Sequence, residues 1–84
     1  MNNGFPSRGV VESLRSSYPV GCRVELTRMD ELQAPPLGTK GTVLGVDDIG
    51  SVMVAWDNGS RLSVAWGADA CKKIGDERSE VKQK

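Results

Sequence analysis

Between residues 7 and 17 the apolar positions fall at helical spacing. Val10, Val11 and Leu14 share one face, Tyr18 extends it, and Arg8, Glu12 and Arg15 take the other faces. Ser7 is placed to cap the first turn, and Pro19 with Gly21 ends the run. The spacing predicts a helix over 7–17. With Gly9 inside, so short a helix is marginal alone, and its stripe must dock on another element.

After Gly21 the period becomes two. Cys22, Val24 and Leu26 alternate with Arg23, Glu25 and Thr27, which predicts a half-buried strand over 22–28. Residues 29–38 contain Pro35-Pro36, which cannot join a central ladder, and read as a long loop. Further strands are expected over 39–46, 51–57, 60–66 and 70–74. The intervening turns are Asp47-Asp48-Ile49-Gly50, Asp57-Asn58-Gly59 and Gly67-Ala68-Asp69. Residues 1–6 read as a flexible lead-in and 75–84 as a charged flexible tail, leaving one helix-plus-barrel domain over 7–74.

The pattern also fixes registers. A two-residue Asn58-Gly59 turn would set Val54 opposite Ser63 and mix polar with apolar residues on both faces. A three-residue loop pairs Trp56 with Ser60, Val54 with Leu62 and Val52 with Val64. It gathers the apolar side chains on one face and gives Gly59 the positive φ of a bulge. A four-residue loop at 47–50 sets Val43 opposite Val54 and Leu44 opposite Met53. The second pair faces outward, and we expect the Val10, Val11 and Leu14 stripe to dock there. The alternative is a helix that caps an open end of the barrel at Trp66 or Leu37. Five short strands of this kind predict a mainly β fold, a small SH3-like antiparallel barrel with a short N-terminal helix, closed by pairing of its first and last strands. That closure brings Cys22 and Cys71 into neighbouring strands. Reduced thiols are expected, with a disulfide left open.

Composition narrows the function. The chain has 84 residues, room for one domain, with 11 Lys plus Arg balanced by 11 Asp plus Glu. Charge balance removes the simple electrostatic case for nucleic-acid or membrane binding. There is no His, hence no imidazole base and no His metal ligand, and two Cys cannot build a four-thiolate zinc site. The start carries no signal-peptide pattern. The longest apolar run, Val52 to Trp56, falls far short of the ~18 residues of a membrane span. A cytoplasmic protein is expected.

No motif carries strong chemistry. Gly38-Thr39-Lys40-Gly41-Thr42 lacks phosphate-loop spacing and reads as a turn. Asp47-Asp48 would point to opposite faces of a strand and fits turn chemistry better than a metal site. Trp56 closes an inward alternation and belongs in the core. Trp66 stands at a strand end before Gly67, where a half-exposed indole can anchor a ligand. Lys72-Lys73 with Lys40 and Arg61 is the best basic cluster, with acids interspersed.

Three stretches are distinctive: residues 18–26, residues 34–43, and Val46-Asp47-Asp48-Ile49-Gly50 through Val54-Ala55-Trp56-Asp57-Asn58-Gly59. Together they resemble a small bacterial family known only as a domain of unknown function and associated with phage and mobile-element contexts. A looser resemblance links Gly38-Thr39-Lys40-Gly41-Thr42-Val43, Val54 to Gly59 and Trp66-Gly67-Ala68-Asp69 to the repeat of mind-bomb and HERC-type ubiquitin ligases. That repeat forms an SH3-like barrel and binds protein segments. Arg28-Met29-Asp30 stands where the repeat has an Arg, then a Gly, then an Asp–Trp pair; here the Gly and the Trp are missing. The Gly-x-x-Gly-x-Val segment is also similar to KOW-type barrels of transcription and ribosomal proteins.

The expected candidate binding surface is Arg28 and Asp30, Pro35 and Pro36 of the long loop, and Trp66. The leading expectation is a non-enzymatic binding module that recognises a protein segment, monomeric, with no cofactor, no metal and no membrane. The alternative is an accessory nucleic-acid-associated domain of a phage or mobile element. An enzyme is not expected, because no nucleophile–base pair or metal constellation is visible.

Overall fold

The computed structural model describes residues 6–74. Helix α1 (Arg8–Ser17) is followed by β1 (Arg23–Arg28), β2 (Lys40–Val46), β3 (Ser51–Trp56), β4 (Val64–Ala65) and β5 (Ala70–Lys73). The strands form one sheet in the order β4-β3-β2-β1-β5, with every neighbouring pair antiparallel. The described residues are therefore mainly β with one short N-terminal helix, as the periodicity implies.

Local chemistry sets the ends of α1. The Ser7 hydroxyl accepts from the Val10 N–H at 3.2 Å, and the Tyr18 N–H closes the last turn on the Leu14 carbonyl at 2.8 Å. Alternation then builds the core: Val24 and Leu26 from β1, Val43 and Val46 from β2, Val52, Val54 and Trp56 from β3, and Val64 from β4 are all buried, with Val11 of α1 packed among them.

The β2–β3 pair departs from the expected register. Val43 does face Val54, but Gly45 lies opposite Met53 and Val46 opposite Val52, so Leu44 is the extra residue of a bulge and is 50% exposed. The reason is what each residue can bury. Simple alternation after Val43 would turn Gly45 inward and Val46 outward. The bulge turns Val46 into the core, and the Met53 side chain comes to lie against Gly45.

The turn that follows is held by Asp47, whose Oδ1 accepts from the Ile49 N–H at 3.2 Å and the Ser51 N–H at 2.8 Å. Gly50 completes it at φ +84. Asp48 pairs with Arg15 of α1 at 3.0 Å, and the Arg15 Nε donates to the Val46 carbonyl at 3.1 Å.

The expected strand over 60–66 shrinks to Val64–Ala65. The three-residue loop is present: the Trp56 N–H donates to the Ser60 carbonyl at 3.0 Å, Gly59 has φ +98, and Val52 faces Val64. Residues 60–63 leave the ladder because side chains take their backbone groups. The Trp56 indole donates to the Leu62 carbonyl at 2.8 Å, the Ser60 Oγ accepts from the Leu62 N–H, and the Asn58 carboxamide accepts from the Ser60 N–H.

First and last strands pair as expected, β1 with β5, yet the sheet is not closed into a barrel. A β4 of two residues is too short to meet β5 with a ladder. The two edges are instead bridged by residues 66–69, fixed by the Asp69 carboxylate accepting from the Ala65 N–H at 2.9 Å.

This opening decides where α1 docks. Val11 is buried, and Leu14 and Tyr18 pack against the core beside Val52, Val64, Trp66 and Cys71. The expected docking on an outer Leu44–Met53 patch is corrected: the helix caps the open end of the sheet. There Leu14 and Tyr18 pack against buried core residues, whereas on the outer face the bulge has separated Leu44 from Met53. Residues 1–5 of the expected lead-in over 1–6, and the expected tail over 75–84, lie outside the described residues.

Candidate functional site

A groove of about 180 Å³ runs between the C-terminal half of α1 and the turn after β4. Leu14 and Tyr18 line it from the helix, Gly50 and Val52 from the β2–β3 side, and Trp66 and Asp69 from the turn. Trp66 is 42% exposed, whereas Trp56 is buried with its indole N–H satisfied. A half-exposed indole beside apolar walls is the form of an interaction anchor.

The segment carrying Trp66 is tied at several points. Its own N–H donates to the Gly50 carbonyl at 3.3 Å, the Ala68 N–H donates to the Ala65 carbonyl at 3.1 Å, and Asp69 holds the Ala65 N–H. The Arg28 Nε donates to the Ala68 carbonyl at 3.2 Å. Arg28 and Trp66, 38 positions apart by subtraction, are thus brought onto one turn, and Arg28 acts there as a brace.

The other residues expected at the surface separate from the groove. Pro35 is buried within the long loop. Its neighbour Pro36 is exposed, and the Pro36 carbonyl accepts from both the Thr39 N–H at 3.0 Å and the Thr39 hydroxyl at 2.6 Å. The neck of the loop is sewn to β1 by Gly38 N–H to the Leu26 carbonyl and Leu26 N–H to the Thr39 carbonyl. Asp30 is exposed on this loop, and neither Asp30 nor Pro36 lines the groove. Of the residues lining the groove, Trp66 alone belongs to the expected set; Leu14, Tyr18, Gly50 and Asp69 are among those outside it. The signal for Tyr18 was its continuation of the helical stripe, and the proximity depended on the helix capping the open end.

Cys71 lies on the groove wall opposite Leu26, and Cys22 stands just before β1; both thiols are free. Burial, reinforced by the nearby Cys22, pushes the Cys71 thiol up to about 11. Burial also raises Cys22, and it raises Tyr18, whose hydroxyl donates to the Cys71 carbonyl at 3.4 Å. These groups stay neutral near pH 7 and supply no activated nucleophile. On the outer face, Arg23 grips Asp57 through two bonds of 2.9 and 2.7 Å and also donates to Thr42, holding the Asp57 carboxyl below its ordinary range. Among the described residues no group of three or more Cys, Asp or Glu is arranged to hold a metal ion, and no helix is long and apolar enough to cross a membrane.

Comparison with curated proteins and with solved structures returned no match. A family model described as a domain of unknown function (DUF4314) matches residues 7–74, the helix and all five strands, and the chain therefore belongs to that family.

Proposed function

We propose that this domain is a non-enzymatic binding module of the cytoplasm that recognises a protein segment in the groove between α1 and residues 66–69. The observation that carries the reading is Trp66, partly exposed on an apolar groove and held on a turn braced from three elements. A fixed aromatic anchor lowers the ordering cost of binding. The curled five-stranded sheet supports the likeness to SH3-like repeats of ubiquitin ligases, and a bacterial mobile-element setting is compatible with either kind of partner. Against a nucleic-acid partner stands the balance of charge: Lys72 on β5 lies opposite Glu25 on β1.

The test is selection of displayed random peptides on the immobilised chain, counter-screened on Trp66→Ala. Peptides that bind the wild type and lose binding on the variant support the reading. Peptides that ignore the substitution overturn it. Parallel titration with duplex and single-stranded DNA at two salt concentrations covers the other partner class. Salt-sensitive shifts at Lys72 and Lys73 without any peptide binding would replace this reading with a nucleic-acid one.

A further inference from the structure

Strand β5 ends the sheet, and the ladder fixes which of its backbone groups face outward. Leu26 spends both of its own on the β2 side: its N–H donates to the Thr39 carbonyl at 2.9 Å, and its carbonyl accepts from the Gly38 N–H at 2.8 Å. The Cys22 carbonyl likewise accepts from the Val43 N–H at 2.9 Å. By alternation Arg23 and Glu25 face β5, and the Ile74 N–H donates to the Arg23 carbonyl at 3.0 Å. Lys72 and Ile74 thus point at β1, and the backbone groups of Cys71 and Lys73 point away from it. The Cys71 carbonyl accepts from the Tyr18 hydroxyl at 3.4 Å. Among the described residues nothing bonds the Cys71 N–H, or the N–H and carbonyl of Lys73.

The edge at β4 differs. There the Ala65 N–H goes to the Asp69 carboxylate, and the Ala65 carbonyl accepts from the Ala68 and Asp69 N–H groups. The unclosed sheet has one edge sealed by its own turn and one with unmet backbone groups. The second faces the groove, because Tyr18 and Cys71 both line it.

The charge beside that edge is one-sided. Lys72 and Lys73 are exposed, and neither is ion-paired among the described residues. Glu25 lies opposite both Lys72 and Lys40, one carboxylate for two ammoniums. A strand laid along β5 brings its side chains next to both lysines, where carboxylates stabilise and like charges repel. A second copy of β5 would set Lys against Lys, which excludes self-pairing as the use of this edge.

We propose that the edge of β5 takes an acidic, extended segment of another protein as an added strand, its backbone paired with Cys71 and Lys73 and its carboxylates beside Lys72 and Lys73. The proposal rests on a protein segment being what the domain recognises. The strand edge carries it, not the Trp66 indole, so the two can fail separately.

The test titrates the full isotope-labelled chain with a capped peptide alternating Glu and Thr, with the same peptide N-methylated throughout, and with one alternating Lys and Thr. The Glu/Thr peptide is expected to give saturable shifts centred on residues 70–74, with slowed hydrogen exchange at the Cys71 and Lys73 amides. The N-methylated peptide lacks every backbone donor and is expected not to bind, nor is the Lys/Thr peptide. Lys73→Pro removes an outward N–H that the ladder does not use and is expected to lose binding. Lys72→Gln combined with Lys73→Gln is expected to weaken it about fivefold, the loss of two cross-strand charge pairs. Equal binding of the N-methylated or the Lys/Thr peptide overturns the proposal on the wild-type chain alone. Absence of shifts at β5, while displayed peptides bind and depend on Trp66, overturns it and leaves the recognition reading standing.

Discussion

Among the described glycines Gly41 has the least room for a side chain, and Gly41→Ala tests the packing directly. The residue is buried in β2 opposite Trp56. A Cβ there would lie 2.6 Å from Val54 Cγ1, 2.8 Å from Trp56 Cε3 and 2.9 Å from the Ala55 carbonyl oxygen, whereas ordinary contact begins at 3.4 Å. Two of those neighbours are buried side chains and the third is backbone, so no flexible end can swing aside. The β2–β3 ladder must spread instead, and overpacking of that kind costs about 3 kcal/mol. A domain of this size is worth about 4–13 kcal/mol in all. The loss lowers Tm by about 12–24 °C at ~4–8 °C per kcal/mol. Urea unfolding followed by Trp fluorescence is the assay, with a lower midpoint and an unchanged slope expected. A variant within about 0.5 kcal/mol of wild type, the range of an ordinary surface substitution, would refute the claim that this glycine is required by close approach.

Gly59 supplies the opposite case: nothing lies within 4 Å of a Cβ there, but φ is +98. Gly59→Val is expected to cost about 1–3 kcal/mol from backbone strain alone, and an unchanged melting temperature would count against the three-residue loop. Asp57 is held below the ordinary aspartate range by Arg23. Its folded pKa is depressed, so its contribution is present above the unfolded pKa and lost as pH falls through the folded one. Carbon-detected titration should find Asp57 low in the wild type and ordinary in Arg23→Gln; equal midpoints in both would dismiss the pair. Cys71 runs the other way. Its thiol is raised to about 11 by burial, so native stability is intact below the unfolded value and declines from about pH 8.5 upward. Cys71→Ala should flatten that alkaline decline in pH-dependent urea melts, and an identical slope would show that the thiol is not the cause.

The elements were legible where one physical demand dominated. Ser7, the Val10–Val11–Leu14 stripe and Pro19 define α1 almost to the residue, because capping and helical periodicity agree. The alternation of Val52, Val54 and Trp56 likewise sets β3 and its inner face. Two features escaped alternation alone. The bulge at Leu44 depends on Gly45 having nothing to bury while Val46 does, a comparison between neighbours rather than a period. The loss of strand over 60–63 depends on an indole N–H finding the Leu62 carbonyl, a contact from Trp56 that strand periodicity does not encode.

That missing strand and the candidate site are one physical fact. Had residues 60–66 paired along their whole length, β4 would be long enough to meet β5 and close the barrel. The Trp56 indole and Ser60 hydroxyl draw residues 60–63 out of the ladder, leaving β4 with two residues and the sheet with an open end. Apolar side chains at that end, Val52 and Val64 among them, must then be covered from elsewhere. Helix α1 covers part of them through Val11 and Leu14, but a ten-residue helix is short, and the groove beside Trp66 is what it leaves uncovered. Arg28 and Asp69 then hold the turn across the gap and place Trp66 at its rim. Trp66 was legible as a half-exposed residue from its place before Gly67. The walls around it were not, because Leu14 and Tyr18 reach it only once the barrel fails to close.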